Sequence, residues 1–68
     1  MTALKEFVIV RDREARKTLV IEEFDDEAKS QRRYEDLHAK YRPPRYDVSI
    51  GVAASRRDFL RGRPRYAR

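Results

Sequence analysis

The sequence predicts an α+β fold: a small single-layer sheet in the order β-β-α-β-α, with one covering helix and a short C-terminal helix. Four observations, taken in chain order, predict it. Two short β-branched runs are followed by a long stretch of helix-forming residues, then by a segment of alternating apolar residues, and finally by a helix-capping pattern. A chain of 68 residues holds one domain at most. We expect a compact domain over residues 1–60 and a basic tail over residues 61–68.

The first two strands are expected to form an antiparallel hairpin. Residues 7–10 and 18–21 are rich in β-branched side chains, and the polar segment between them predicts a turn with its apex at residues 12–15. Strand one is apolar on both sides: Phe7 and Ile9 face one way, and Val8 and Val10 face the other. A single long helix covers one face only, so the short C-terminal helix or a second copy of the chain must cover the other. We expect a homodimer.

The remaining elements follow from helix and strand periodicity. Residues 26–41 favour a helix, with carboxylates at its N-terminus and Pro43 and Pro44 ending it. One face of this helix carries Glu27, Ser30, Tyr34, Leu37, His38 and Tyr41. Residues 47–53 alternate as a third strand, which the helical crossover should place parallel to strand two, with strand one between them. Ser55 starts a capping box, so a second helix should run from there to near Gly62.

Charge is unevenly distributed along the chain. The formal net charge is +5, yet residues 1–41 sum to −1 and residues 42–68 to +6, all of the latter cations being arginine. Guanidinium groups bind phosphates and carboxylates through two parallel hydrogen bonds. The chain has no cysteine, no apolar run long enough to span a membrane and no signal-peptide core at its start. We therefore expect a soluble, cytoplasmic protein that contacts an anionic partner.

Residue types that carry enzyme chemistry are sparse. The acidic residues at positions 22–27 lack the glycine and the spacing of a calcium loop, so they are interpreted as a strand end and a helix N-terminus. His38 is the only imidazole, and no thiol or serine motif accompanies it. Gly51 and Gly62 are isolated and match no phosphate-binding loop. We expect no enzymatic activity, no cofactor and no metal.

The C-terminal segment carries a short recognisable motif. Its residues are Arg61, Gly62, Arg63, Pro64 and Arg65. They resemble the core of the AT-hook, which lays an Arg-Gly-Arg-Pro segment into the minor groove of A·T-rich DNA. Arginine suits the strong negative potential of that groove, and glycine lets the backbone approach closely. The same letters also fit a helix end, in which Gly62 is the C-terminal cap and Pro64 the stop signal.

Tyrosines interleave with the arginines. Rings beside cations suit base stacking with phosphate contact, and they equally suit a linker in which Tyr46 packs and the arginines pair with the chain's own acidic half. The predicted partner-binding residues are Arg42, Arg45, Arg56, Arg57, Arg61, Arg63, Arg65, Arg68, Tyr46 and Tyr66.

Three functional hypotheses remain open. The first is a non-enzymatic binding protein whose arginine-rich C-terminal third contacts DNA or RNA. The second is a homodimeric adaptor or regulator of bacterial or phage type, whose basic flank meets an acidic protein surface and which has no nucleic-acid role. In the third, the acidic and basic halves of neighbouring subunits neutralise each other.

Overall fold

The computed structural model describes residues 4–64, which form three strands and two helices. In chain order these are β1 (Lys5–Asp12), β2 (Lys17–Phe24), α1 (Glu27–Lys40), β3 (Tyr46–Ala53) and α2 (Arg56–Gly62). The predicted α+β class and the element order are confirmed.

Strand β1 lies in the middle of the sheet, in the order β2-β1-β3, and is antiparallel to both neighbours. Strands β2 and β3 therefore run parallel to each other on opposite sides of β1, as the sequence predicts. The β1–β3 register is regular over all eight residues, whereas the β1–β2 register shifts between Val10 and Arg11. Both outer strands are sheet edges.

The two faces of β1 are covered by different helices. Val8 and Val10 are buried with Leu37 of α1, while Phe7 and Ile9 are buried with Phe59 of α2. The prediction of a strand that is apolar on both sides is confirmed. Of the two covers considered for the second face, the structure places the C-terminal helix there. The molecule is flat, with principal extents of 39 × 25 × 12 Å.

The hairpin turn occupies residues 13–16, one residue later than predicted. Asp12 is the last residue of β1, and its side chain folds back over the turn. One carboxylate oxygen, Oδ1, accepts hydrogen bonds from the backbone N–H groups of Glu14 and Ala15, both at 3.0 Å. An aspartate that bonds the backbone ahead of it is a turn-forming device, so this polar side chain is buried without loss of hydrogen bonding.

Helix α1 begins and ends within one residue of the prediction. Asp26 caps it by accepting a hydrogen bond from the Ala28 N–H at 2.8 Å, and the Tyr41 N–H closes it on the Leu37 carbonyl. Ser30 is fully buried where the helix crosses the sheet, with its hydroxyl 2.9 Å from a carboxylate oxygen of Glu6.

Helix α2 begins and ends where the sequence predicts, but its C-terminal cap is a different residue. Ser55 Oγ accepts a hydrogen bond from the Asp58 N–H at 3.1 Å, as the capping box predicts. The helix continues through Gly62, and the C-terminal cap is Arg63 with a φ of −137°. The expectation that Gly62 itself is the cap is wrong, because its φ is not positive and the left-handed glycine cap is not formed.

Candidate functional site: the arginines of the C-terminal third

Six of the predicted contact arginines lie in the described part of the chain, at positions 42, 45, 56, 57, 61 and 63. Arg65, Tyr66 and Arg68 lie outside it. These six arginines form two groups. In the first group the side chain contacts another residue of the chain, and in the second group it does not.

Arg45 binds carboxylates of the hairpin turn. Its Nη2 lies 3.2 Å from Asp12 Oδ2, and its Nε lies 3.7 Å from a carboxylate oxygen of Glu14. The Arg45 carbonyl also accepts a hydrogen bond from the Arg13 N–H at 2.8 Å. Arg45 therefore connects the α1–β3 loop to the β1–β2 turn, across 33 residues of sequence from Asp12.

The contact between Arg45 and Asp12 favours the charged form of each side chain. The hydrogen bond from the Ala15 N–H is the largest cause that lowers the pKa of Asp12, and the hydrogen bond from Arg45 adds to it. In return, the hydrogen bond to Asp12 raises the pKa of Arg45. Asp12 is only 4% exposed, so this carboxylate is held inside the fold by donors on two sides.

Arg56 and Arg63 also make contacts within the chain. Arg56 Nη2 donates a hydrogen bond to the Ile21 carbonyl of β2 at 2.7 Å. The Arg63 guanidinium carbon lies 4.5 Å from the centroid of the Phe59 ring, a cation–π distance. Arg56 thus helps to hold α2 on the sheet, whereas the Arg63 contact lies within the C-terminal end of α2.

Arg42, Arg57 and Arg61 form the second group. All three are exposed, and none of their side chains forms a hydrogen bond or an ion pair with any residue in 4–64. Arg57 and Arg61 stand four positions apart on α2, which makes them neighbours on one helical face. At 3.6 residues per turn that face lies nearly opposite Phe59, whose side chain is buried against the sheet. Burial of Phe59 therefore turns both guanidinium groups outward.

The predicted tyrosine contacts have a packing role. Tyr46 is half-buried, and its ring meets that of Tyr41 edge to face with 5.0 Å between the centroids. Both rings pack against the buried cluster beneath α1. The Arg45 guanidinium lies 5.2 Å from the centroid of the Tyr46 ring. The structure therefore agrees with the interpretation in which Tyr46 packs and an arginine pairs with the acidic half of the chain.

The acidic run is divided among separate partners. Glu22 receives a hydrogen bond from Arg33 at 2.9 Å, and Glu23 receives one from Lys5 at 3.1 Å. These bonds raise the pKa of Arg33 and of Lys5, respectively. Asp26 caps α1. Within residues 4–64, no three His, Asp or Glu side chains stand together as a metal site would require.

His38 lies on the exposed side of α1, with its ring tilted against Tyr34 at 5.7 Å between centroids.

Neither helix of the described segment is long and apolar enough to cross a membrane.

Comparison with known proteins adds no relative: no family model, no curated protein and no solved structure matches this chain. The geometry of its own residues is therefore the basis for a functional proposal.

Proposed function

We propose that this protein is a small, non-enzymatic binding protein that uses the outward arginine face of α2 to contact the phosphate backbone of DNA or RNA. We define this face by Arg57 and Arg61. The observation that carries the proposal is that both guanidinium groups are turned to solvent and have no partner of their own within residues 4–64.

Charge and helix geometry support an anionic partner. The described part of α2 carries arginines at 56, 57 and 61 against the single carboxylate of Asp58. Two arginines one helical turn apart have their Cβ atoms about 5–6 Å from each other, so both guanidinium groups can reach phosphates of one nucleic-acid strand. The sequence adds Arg65 and Arg68 immediately after this helix.

The hook-like segment belongs to the same proposal in a modified form. Arg61 and Gly62 are helical, so an extended groove-binding conformation of residues 61–65 would require the last turn of α2 to unwind. That turn ends at a bond from the Arg63 N–H to the Leu60 carbonyl, and Gly62 is exposed. A glycine in the last turn lowers the cost of unwinding, because glycine is a poor helix former.

The test is fluorescence anisotropy with labelled duplex DNA and single-stranded RNA, at salt concentrations from 50 to 200 mM. If six phosphates of duplex DNA are contacted, the slope of log K against log salt should be about −5, and affinity should fall about a thousandfold over this range; for single-stranded RNA the slope should be about −4. The double variant R57Q/R61Q should bind more weakly and reduce the slope by about 2.

A matched control is available on α1. Lys29 and Arg32 are exposed and make no ion pair within residues 4–64, so K29Q/R32Q removes the same net charge from a different face. A general electrostatic attraction would weaken equally in both double variants. The proposal requires a larger loss from α2, and it is wrong if no nucleic acid binds at 50 mM salt or if binding does not depend on salt.

A further inference from the structure

The two edges of the sheet differ in how they are protected. Strand β2 carries Lys17, Glu22 and Glu23, has an irregular register against β1, and has Arg56 bonded to one of its carbonyls. Charges, bulges and covering side chains are the usual devices that prevent an edge strand from pairing with another chain. In β3, the segment from Val48 to Val52 has no charge, no proline and no register shift.

The ladder between β1 and β3 determines which backbone groups of β3 point outward. The Arg13 N–H donates to the Arg45 carbonyl, and these residues would be opposite each other if the register continued one step beyond Asp12 and Tyr46. Bonded and non-bonded pairs alternate along an antiparallel ladder. The odd-numbered residues of β3 therefore bond to β1.

The even-numbered residues of β3 consequently direct their N–H and C=O groups to the open edge. Tyr46 is one of them, and its N–H is already used, because it donates to the Arg42 carbonyl at 3.3 Å. The outward groups of the other three, Val48, Ile50 and Val52, form no hydrogen bond with any residue in 4–64. The bond from Arg56 to Ile21 agrees with this alternation. Ile21 pairs with Ile9, whose backbone groups bond to β3, so the carbonyl of Ile21 must point away from β1, towards the open edge of β2.

We propose that this protein forms a two-fold symmetric dimer in which β3 pairs with β3 of a second copy, antiparallel and centred on Ile50. In that register Ile50 meets its own copy, and Val48 meets Val52 of the partner subunit. All three pairs join outward-pointing residues, as hydrogen-bonded pairs in an antiparallel ladder must. This proposal does not depend on the anionic partner.

The side chains of β3 identify a second copy as the matching occupant. Val48, Ser49, Ile50, Gly51 and Val52 alternate large and small, and the pattern reads the same in both directions. On the α1 side, pairing about Ile50 places branched chains opposite branched chains, including Val52, which is 49% exposed in the single chain. On the α2 side, Ser49 meets Gly51 of the partner subunit, so no bulky groups collide. Closed two-fold interfaces require such self-complementarity.

Domain size favours the same occupant. A domain of this length buries only roughly 60% of its unfolded surface, and the chain has no disulfide to compensate.

Pairing of the β3 edges would give a continuous six-stranded sheet with the order β2-β1-β3-β3-β1-β2. The two-fold axis of side-by-side antiparallel strands is perpendicular to the sheet. Both copies of α2 would then lie on the same face of that sheet.

Sedimentation equilibrium of the full chain over a micromolar dilution series tests the proposal. We expect a monomer–dimer equilibrium that V52K weakens by roughly tenfold or more, because a lysine then stands at the paired edge. The matched control is L19K, which places a lysine at the similarly exposed Leu19 of β2 and should leave the equilibrium unchanged. A monomer throughout the series, or equal effects of the two variants, would overturn the proposal.

Cysteine cross-linking tests the register and remains informative if V52K fails to fold. The natural chain has no cysteine, so each introduced thiol is unique. Residues paired at position 50 have their Cα atoms about 5.5 Å apart, within disulfide reach. The two copies of position 49 would be separated by roughly 8 Å, beyond that reach. Under mild oxidation I50C should form a covalent dimer and S49C should not; the opposite pattern, or no cross-link in either variant, would contradict the proposal.

Discussion

The ring of Phe59 stacks on the ring of Phe7, with 4.8 Å between the centroids and 20° between the planes. Both side chains are fully buried. Phe7 belongs to the first strand and Phe59 to the last helix, so this contact joins the two ends of the described chain. Aromatic pairs in this geometry contribute about 0.5–1.5 kcal/mol beyond the area they bury. The stacked pair attaches α2 to the central strand and so helps to hold the arginine face in place.

Replacing Phe59 with alanine should therefore destabilise the whole domain. Phe→Ala at a fully buried site costs about 3–5 kcal/mol, a large part of the stability of any small domain. Urea unfolding followed by circular dichroism measures the loss. L19A is the control, since Leu19 is 38% exposed and should cost less than about 1 kcal/mol. Equal losses in the two variants would show that Phe59 does not hold α2 on the sheet.

Gly51 should not tolerate a side chain while Phe59 is present. A Cβ at this position would collide with Cε1 of the Phe59 ring, which is confined by its stack on Phe7. We expect G51A to cost about 1–3 kcal/mol through overpacking. In an F59L background the same change should cost less, because leucine has no ring at that place. A double-mutant cycle from urea unfolding gives the coupling, and strictly additive effects would contradict the packing explanation.

Asp12 should make stability depend on pH in the acid range. Its folded pKa is lowered, chiefly by the Ala15 N–H and then by Arg45, so its contribution is present above the unfolded value of about 3.9. That contribution is lost as the pH falls through the folded pKa. D12N should be less stable than the natural protein at pH 7, and the difference should shrink towards pH 2.

Urea midpoints measured between pH 7 and pH 2 test this expectation. E35Q is a suitable control, because Glu35 is exposed on α1 and makes no ion pair within residues 4–64. Its effect should be small at every pH. A constant difference between D12N and the natural protein over the whole range would exclude linkage to the Asp12 carboxylate.

Local patterns predicted the elements of this fold well. The alternation around Val48, the prolines after α1 and the serine before α2 each act within a few residues, so they can be identified in a single sequence. The central position of β1 follows from the helical crossover between β2 and β3, and the covering of both its faces follows from its apolar character on both sides. The turn was displaced by one residue because Asp12 bonds forward to the backbone, a geometry that the absence of glycine did not reveal.

The site was less accessible to sequence reasoning. The sequence does not distinguish Arg45 from Arg57, but Arg45 binds a carboxylate 33 residues away and Arg57 faces solvent. Only the tertiary arrangement separates them. In the same way, the apolar alternation of β3 predicts a strand and does not indicate which strand lies at an edge. The two edges differ in protection because β2 and β3 are the outer strands and Arg56 covers only β2.

The position of β1 in the chain has a consequence for synthesis. Residues 7–10 are the most apolar stretch of the sequence, and both helices that bury them are encoded later. A ribosome must complete residues up to Phe59 before the second face of this strand can be covered. Short uncharged segments with high β propensity aggregate when they are left open. Until then, one apolar face of this strand is exposed in the nascent chain.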